Sequence, residues 1–265
     1  MAATGFFMGA MAVFADVEIV AHRGSSDDAP ENTLAAMKLA WERGADAIET
    51  DLWLSKDGKI VVMHDATTKR TGGGVDKKIA EQTWEELQQL DVGAWKAGKF
   101  KGERIPSLEG LLGTVPPRGR AYLEIKCGPE IVPALGEALA KAGLKAEQIV
   151  IISFNHAALA ASKKALPAYE HLWIHGYSKD KKSGEFPTIE PVLAKAREGH
   201  FDGLDLQFDW PITADFVKLV KSHGLKLATW TVDDVAVAKR LIEAGVDGIT
   251  TNKPGVMAAE LKAKR

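Results

Sequence analysis

The stretch ETDLWLSKDGKIVVMHD, residues 49–65, decides how many strands the fold holds. Two apolar runs flank SKDGK, and Asp57-Gly58 is a strong turn signal for a two-stranded hairpin. No room for a helix separates the runs, so the second strand must return antiparallel to the first. Such a hairpin carries His64 back beside Asp51. We therefore read 52–64 as a hairpin rising from a rim, outside the main strand count.

On either side of it the chain is rhythmic. Short aliphatic runs appear at 17–21 (VEIVA), 46–52 (DAIETDL), 121–126 (AYLEIK) and 148–154 (QIVIISF). Further runs follow at 171–175, 203–207, 226–232 and 247–251. Amphipathic patterns lie between most of them. TLAAMKLAWERG (33–44) puts Leu34, Met37 and Ala40/Trp41 on one face, with Asn32 placed for an N-cap and Gly44 for a C-cap. Residues 233–245 repeat the design. Strand–helix alternation with about eight units predicts an α/β fold, a closed (β/α)8 TIM barrel. The rim hairpin and a long irregular insertion, 65–106, complete it. Within the insertion, Thr83 and Glu86 form a capping box that opens a short helix. The barrel domain is expected over 16–265.

Composition sets mild bounds. The chain has 265 residues, ordinary for one barrel, and 34 basic against 36 acidic residues for a net charge of −2. No basic surplus points to nucleic acid. One cysteine, Cys127, excludes an internal disulfide framework and a multi-cysteine zinc site. Residues 1–15, MAATGFFMGAMAVFA, are apolar but short for a bilayer span. They read as a secretory signal remnant ending at VFA, although no Lys or Arg precedes Arg23. An exported or periplasmic address is expected from it, with the cytoplasm as the alternative.

Barrel sites collect at the C-terminal ends of the strands. Glu49 and Asp51 share one strand face, as do Glu124 and Lys126 on another. His22 and Arg23 end the first strand, and His64 returns by the hairpin. Three clustered carboxylates call for a hard divalent cation, Mg2+ or Ca2+, with Mn2+ also suited, in preference to zinc. Arg23 and Lys126 suit an anionic oxygen, and the two histidines suit proton transfer near neutrality. Together these groups describe phosphodiester cleavage. Phe154 and Trp230, near the ends of late strands, are read as pocket walls or core. Cys127 is read as an inert thiol facing away from Lys126. His156, His171, His175, His200 and His223 show no shared-site spacing and are read as structural or surface groups.

The motifs AHRG, PENT, ETD, SKDG, HD, GERIPSLEGLL, LEIK and TWTVDD, in this order from about residue 17 onward, resemble the glycerophosphodiester phosphodiesterase family. The resemblance implies a barrel like that of phosphatidylinositol-specific phospholipase C, with the insertion 65–106 as a small inserted subdomain. It implies His22 and His64 as the acid/base pair and Glu49, Asp51 and Glu124 as metal ligands. Arg23 and Lys126 would then hold the phosphate of a small glycerophosphodiester. The chain departs from the family pattern at Asn252, where Asp is frequent, and in TGGG, which lacks a frequent asparagine. A lysophospholipase D or phospholipase C-like lipid enzyme is the first alternative, and a non-enzymatic phosphate-binding barrel the second.

Overall fold

The computed structural model describes residues 17–262. The signal reading of residues 1–15 lies outside them. Nine strands form in chain order: β1 (Glu18–Ala21), β2 (Ala47–Leu54), β3 (Ile60–Val62), β4 (Arg120–Ile125), β5 (Ile149–Ser153), β6 (Glu170–His175), β7 (Gly203–Gln207), β8 (Lys226–Trp230) and β9 (Gly248–Thr251). Eight of them run parallel in the order β1-β9-β8-β7-β6-β5-β4-β2, and β1 pairs with β2 to close the barrel. β3 is the exception. It pairs antiparallel with β2, Leu52 opposite Val62, and the Met63 amide donates to the Asp51 carbonyl at 3.1 Å. The hairpin thus stays off the barrel wall and delivers His64 to the rim, as the turn chemistry requires.

Strand alternation sorts the side chains into two cores. Val20, Ala47, Tyr122, Val150, Ile152, Leu172, Ile174 and Ala228 pack on one another inside the barrel. The residues between them, such as Leu123, Ile151, Leu204 and Leu206, face the surrounding helices in a larger core. At the N-terminal end of the strands, Arg120 bridges Glu18 at 3.0 Å and Glu170 at 3.1 Å, and Lys226 reaches Glu170 at 2.7 Å. This ion-pair network serves stability, since barrel chemistry lies at the opposite end. Among the described residues no helix is long and apolar enough to cross a membrane.

Helix α1 (Leu34–Glu42) starts differently from the sequence expectation. Thr33, not Asn32, is its N-cap: the Thr33 hydroxyl accepts from the Ala36 amide at 3.2 Å. Asn32 instead takes a left-handed backbone, φ 60°. Short polar residues tolerate that conformation best, and it frees the Asn32 side chain to bond strand β2. At the other end Arg43 is the C-cap and Gly44, one residue beyond, has φ 81°. Between β3 and the next barrel helix, the Thr83–Glu86 capping box forms as expected at the start of a short helix (Trp84–Gln88). Cys127 is a free thiol, and burial pushes its pKa up to about 11.

His171 is buried in the outer core and tied at both nitrogens. Nδ1 lies 3.0 Å from the Tyr169 carbonyl, which can only accept. Nε2 therefore accepts from the Ser162 hydroxyl at 2.9 Å, and the ring is neutral. Burial lowers its pKa from 6.5 to about 4. Between these two values the unfolded chain binds a proton that the folded chain refuses, so stability falls as pH falls from 6.5 towards 4. The loss is on the order of 3 kcal/mol. Buried carboxyls with raised pKa act in the opposite direction. Denaturant titrations of the wild type and His171→Asn at pH 7.5 and 4.5 isolate the histidine: the variant should lose less on acidification. Equal losses would show that the ring does not titrate in this way.

Candidate active site

The mouth of the barrel holds a cavity of about 160 Å³, lined by His22, Arg23, Glu49, His64, Glu124 and Lys126 together with Phe154 and Trp230. Eight of the nine residues expected from the sequence therefore line one space. The ninth, Asp51, lies beneath it, with 0 % exposure.

The first strand delivers two groups through a strained turn. Arg23 has φ 55°, rare for a residue with a side chain. Its amide donates to Glu49 Oε2 at 2.8 Å, which fixes the turn to β2. Gly24 follows with φ 81°, and a Cβ there would stand 2.6 Å from the Ala36 carbonyl carbon. Only glycine allows α1 to approach so closely. The guanidinium of Arg23 pairs with Glu31 at 3.0 Å and with Asp51 at 3.4 Å.

Glu49, Asp51 and Glu124 each place a carboxylate oxygen within 4.8 Å of the others. Glu49 Oε1 and Asp51 Oδ1 are buried without a hydrogen bond among the described residues. Burial raises the Glu49 pKa well above the ordinary carboxyl range, and the charges of Asp51 and Glu124 add to the effect. Glu124 rises to about 7, by burial and then by Asp51. Burial also opposes ionisation of Asp51, but Arg23 and Lys126 outweigh it and hold that carboxyl below its usual value. Asp51 is further anchored by Asn32, whose Nδ2 donates to it at 2.7 Å while its Oδ1 accepts from the Thr50 hydroxyl at 2.8 Å. Lys126 lies 2.9 Å from Glu124 and 3.5 Å from Asp51. Two orphaned buried carboxylate oxygens beside a third acidic group fit a divalent cation: hard oxygen donors, crowded negative charge and no protein hydrogen bond to use it.

The two histidines have opposite partners. His22 Nδ1 lies 2.7 Å from Asn252 Oδ1. The Asn252 amide cannot turn over, because its Nδ2 donates to Asp233 at 2.6 Å and its backbone amide donates to the same carboxylate at 2.8 Å. A carbonyl oxygen therefore faces His22, Nδ1 carries the proton, and Nε2 is left with a free lone pair. Burial, then the Arg23 charge, lowers the His22 pKa to about 4, so the ring is neutral at pH 7. His64 Nδ1 faces a carboxylate instead, Asp65 Oδ1 at 2.7 Å. Arg70 clamps that carboxylate at 2.7 Å and Glu31 at 2.7 Å. The Asp65 pKa falls to about 2, chiefly through the Arg70 hydrogen bond. Asp65 thus remains an anion beside the His64 ring.

Phe154 and Trp230 meet edge to face, ring centroids 5.3 Å apart, and form an apolar wall. The remaining histidines stay outside the cavity lining. Several groups escaped the sequence reading. Glu31 was marked only by PENT, Asn32 by PENT and as a helix N-cap but not as a site residue, Arg70 only by its place directly before TGGG, and Asp233 by TWTVDD. Asp205 of β7 carried no signal beyond its place in an aliphatic strand, yet it lines the cavity. Burial, then Glu124, raises its pKa to about 8.

A glycerophosphoryl diester phosphodiesterase family model matches residues 22–256. A glycerophosphodiester phosphodiesterase of Caldanaerobacter subterraneus is 38% identical over 240 residues, covering 89% of this chain and 94% of the relative. Among solved structures, an Oleispira antarctica phosphodiesterase in complex with the product sn-glycerol-3-phosphate superposes with a TM-score of 0.79. It shares 28% identity and covers 92% of this chain and 96% of its own. A Silicibacter pomeroyi structure at 23% identity, covering 93% of each chain, matches in fold with a TM-score of 0.81.

Proposed function

The chain belongs to the glycerophosphoryl diester phosphodiesterase family, and on that premise we propose that it hydrolyses glycerophosphodiesters to glycerol 3-phosphate and an alcohol, with one divalent cation and two histidines. The observation that carries the mechanism is the contrast between the histidine partners, a fixed amide carbonyl on His22 and an anion on His64. Glu49, Asp51 and Glu124 would hold the cation. When bound it would supply positive charge to the phosphate, lowering the cost of charge that builds there during displacement.

Arg23 and Lys126 hold the phosphate from the cationic side of the cavity, Arg23 by its planar fork and Lys126 as a point charge. Lys126 is suited to this because Asp51 and Glu124 outweigh its burial and keep it protonated. His22 is neutral with Nε2 unprotonated, so it takes the proton of the nucleophile. The nucleophile is water or the glycerol 2-hydroxyl. As its oxygen bonds to phosphorus, the bond from phosphorus to the alcohol oxygen breaks. His64, held by the Asp65 carboxylate at 2.7 Å from its Nδ1, gives a proton to that oxygen. Attack by the 2-hydroxyl produces a cyclic phosphate first, which water then opens. Arg70 and Asn252 act through the histidines and are positioning residues.

The cavity volume of about 160 Å³ favours small polar diesters over lipids. Pockets for drug-sized ligands begin near ~300 Å³, so an acyl chain would have to lie beyond it, along the wider groove of about 680 Å³ that shares Phe154 and is lined by Lys179, Asp180, Lys181 and Glu185. The deciding assay compares glycerophosphocholine with lysophosphatidylcholine and identifies the products. Glycerol 3-phosphate and choline from the first substrate, with slow turnover of the second, support this reading. Preferential release of choline from the lysolipid would favour the lipid-directed alternative, and no cleavage of either would leave a phosphate-binding barrel.

A further inference from the structure

Strand β7 alternates strictly. Leu204 and Leu206 face the helices, so Gly203, Asp205 and Gln207 face into the barrel. Gln207 is committed locally, accepting from the Tyr177 amide at 2.9 Å and donating to Asp209 at 2.7 Å. Asp205 is not. It is 2 % exposed, and its Oδ1 has no hydrogen bond among the described residues. Its interior neighbours in the cavity lining, Ile152 and Ile174, offer it nothing polar. It is not one of the three carboxylates whose oxygens cluster to fit a cation, although the charge of Glu124 reaches it across the cavity.

An unpartnered buried carboxyl is a standing cost to the fold. Such a group is kept where a ligand completes it. A second oxygen is in the same condition: Thr250 Oγ1 on β9 is buried, unpartnered among the described residues, and lines the same cavity. Resting on the function proposed above, the geometry points to Asp205, assisted by Thr250, as the specificity residue that binds a hydroxyl of the glycerol half of the substrate. A carboxylate accepts from that hydroxyl and a carboxylic acid donates to it, so either protonation state serves. The glycerol half is the constant part of every glycerophosphodiester, whereas the alcohol varies. A fixed, enclosed hydrogen-bonding group recognises the constant half. The variable alcohol then leaves past Phe154, which is 46 % exposed at the mouth.

The test compares two diesters, glycerophosphocholine and bis(4-nitrophenyl) phosphate, which contains no glycerol. Asp205→Ala should lose about 10- to 100-fold more kcat/KM on the first than on the second, the worth of one hydrogen bond to a buried carboxyl. Asp205→Asn keeps the shape and both bonding functions and should recover much of that difference. Neither variant should melt below the wild type, because no protein bond is removed. Equal losses on both diesters, or a lowered melting temperature in both variants, would overturn the assignment by showing that Asp205 supports the fold instead. The result is separable from the parent reading: a wild type that cleaves no glycerophosphodiester defeats the proposed function, whereas an active wild type with equal variant losses defeats only the role of Asp205.

Discussion

Chelation with EDTA should abolish hydrolysis of glycerophosphocholine, and Mg2+, Ca2+ or Mn2+ added back should restore it. The reason lies in the cost of the apo site. Glu49 and Asp51 are fully buried, with Glu124 beside them. Burial and mutual repulsion hold Glu49 well above the ordinary range and Glu124 near 7. A divalent cation reverses that repulsion and must displace protons to bind. The sign follows: protons compete as pH falls through about 7, so metal affinity should weaken steadily on acidification and strengthen above it. Calorimetric titration of the apo-protein with Ca2+ at pH 6 and pH 8, in buffers of different ionisation enthalpy, reads both the affinity and the protons released. Glu49→Gln should bind weakly while retaining its circular dichroism spectrum. Full turnover in chelated buffer would remove the cation from the account.

Replacing either histidine with alanine should lower kcat by roughly 10²–10⁴, the usual share of general acid–base catalysis. KM should change little, because Arg23 and Lys126 still hold the phosphate. The pH profiles should also differ. Wild-type activity should fall on both sides of an optimum, and each variant should lose one limb. Near-normal kcat in both variants would return His22 to the role of a strand-end structural group.

The barrel was legible because its signals are local. Asp57-Gly58 sets the hairpin, and period-2 spacing alone puts Glu49 with Asp51 and Glu124 with Lys126. Strand boundaries moved by a residue or two, as at β4, which begins at Arg120 and not at Ala121. The orientation of the histidines was not legible. It depends on an amide 230 residues away, Asn252, and on the carboxylate that pins it, Asp233. Asn32 was misplaced for a similar reason. Its capping propensity is real, but two polar atoms on β2, from Thr50 and Asp51, compete for the side chain and win. Asp205 reads in sequence as a polar interruption of an aliphatic strand, GLDLQ. Only closure of the barrel shows that it lacks a partner.

The central claim is a division of labour, with His22 as base and His64 as acid. Leaving-group dependence measures it directly. A glycerophosphodiester whose alcohol is 4-nitrophenol needs no proton on departure, whereas glycerophosphocholine does. His64→Ala should therefore be severely impaired on glycerophosphocholine and close to wild type on the nitrophenyl ester, while His22→Ala should be impaired on both. Equal impairment of His64→Ala on the two esters, or rescue of His22→Ala by the better leaving group, would contradict the account.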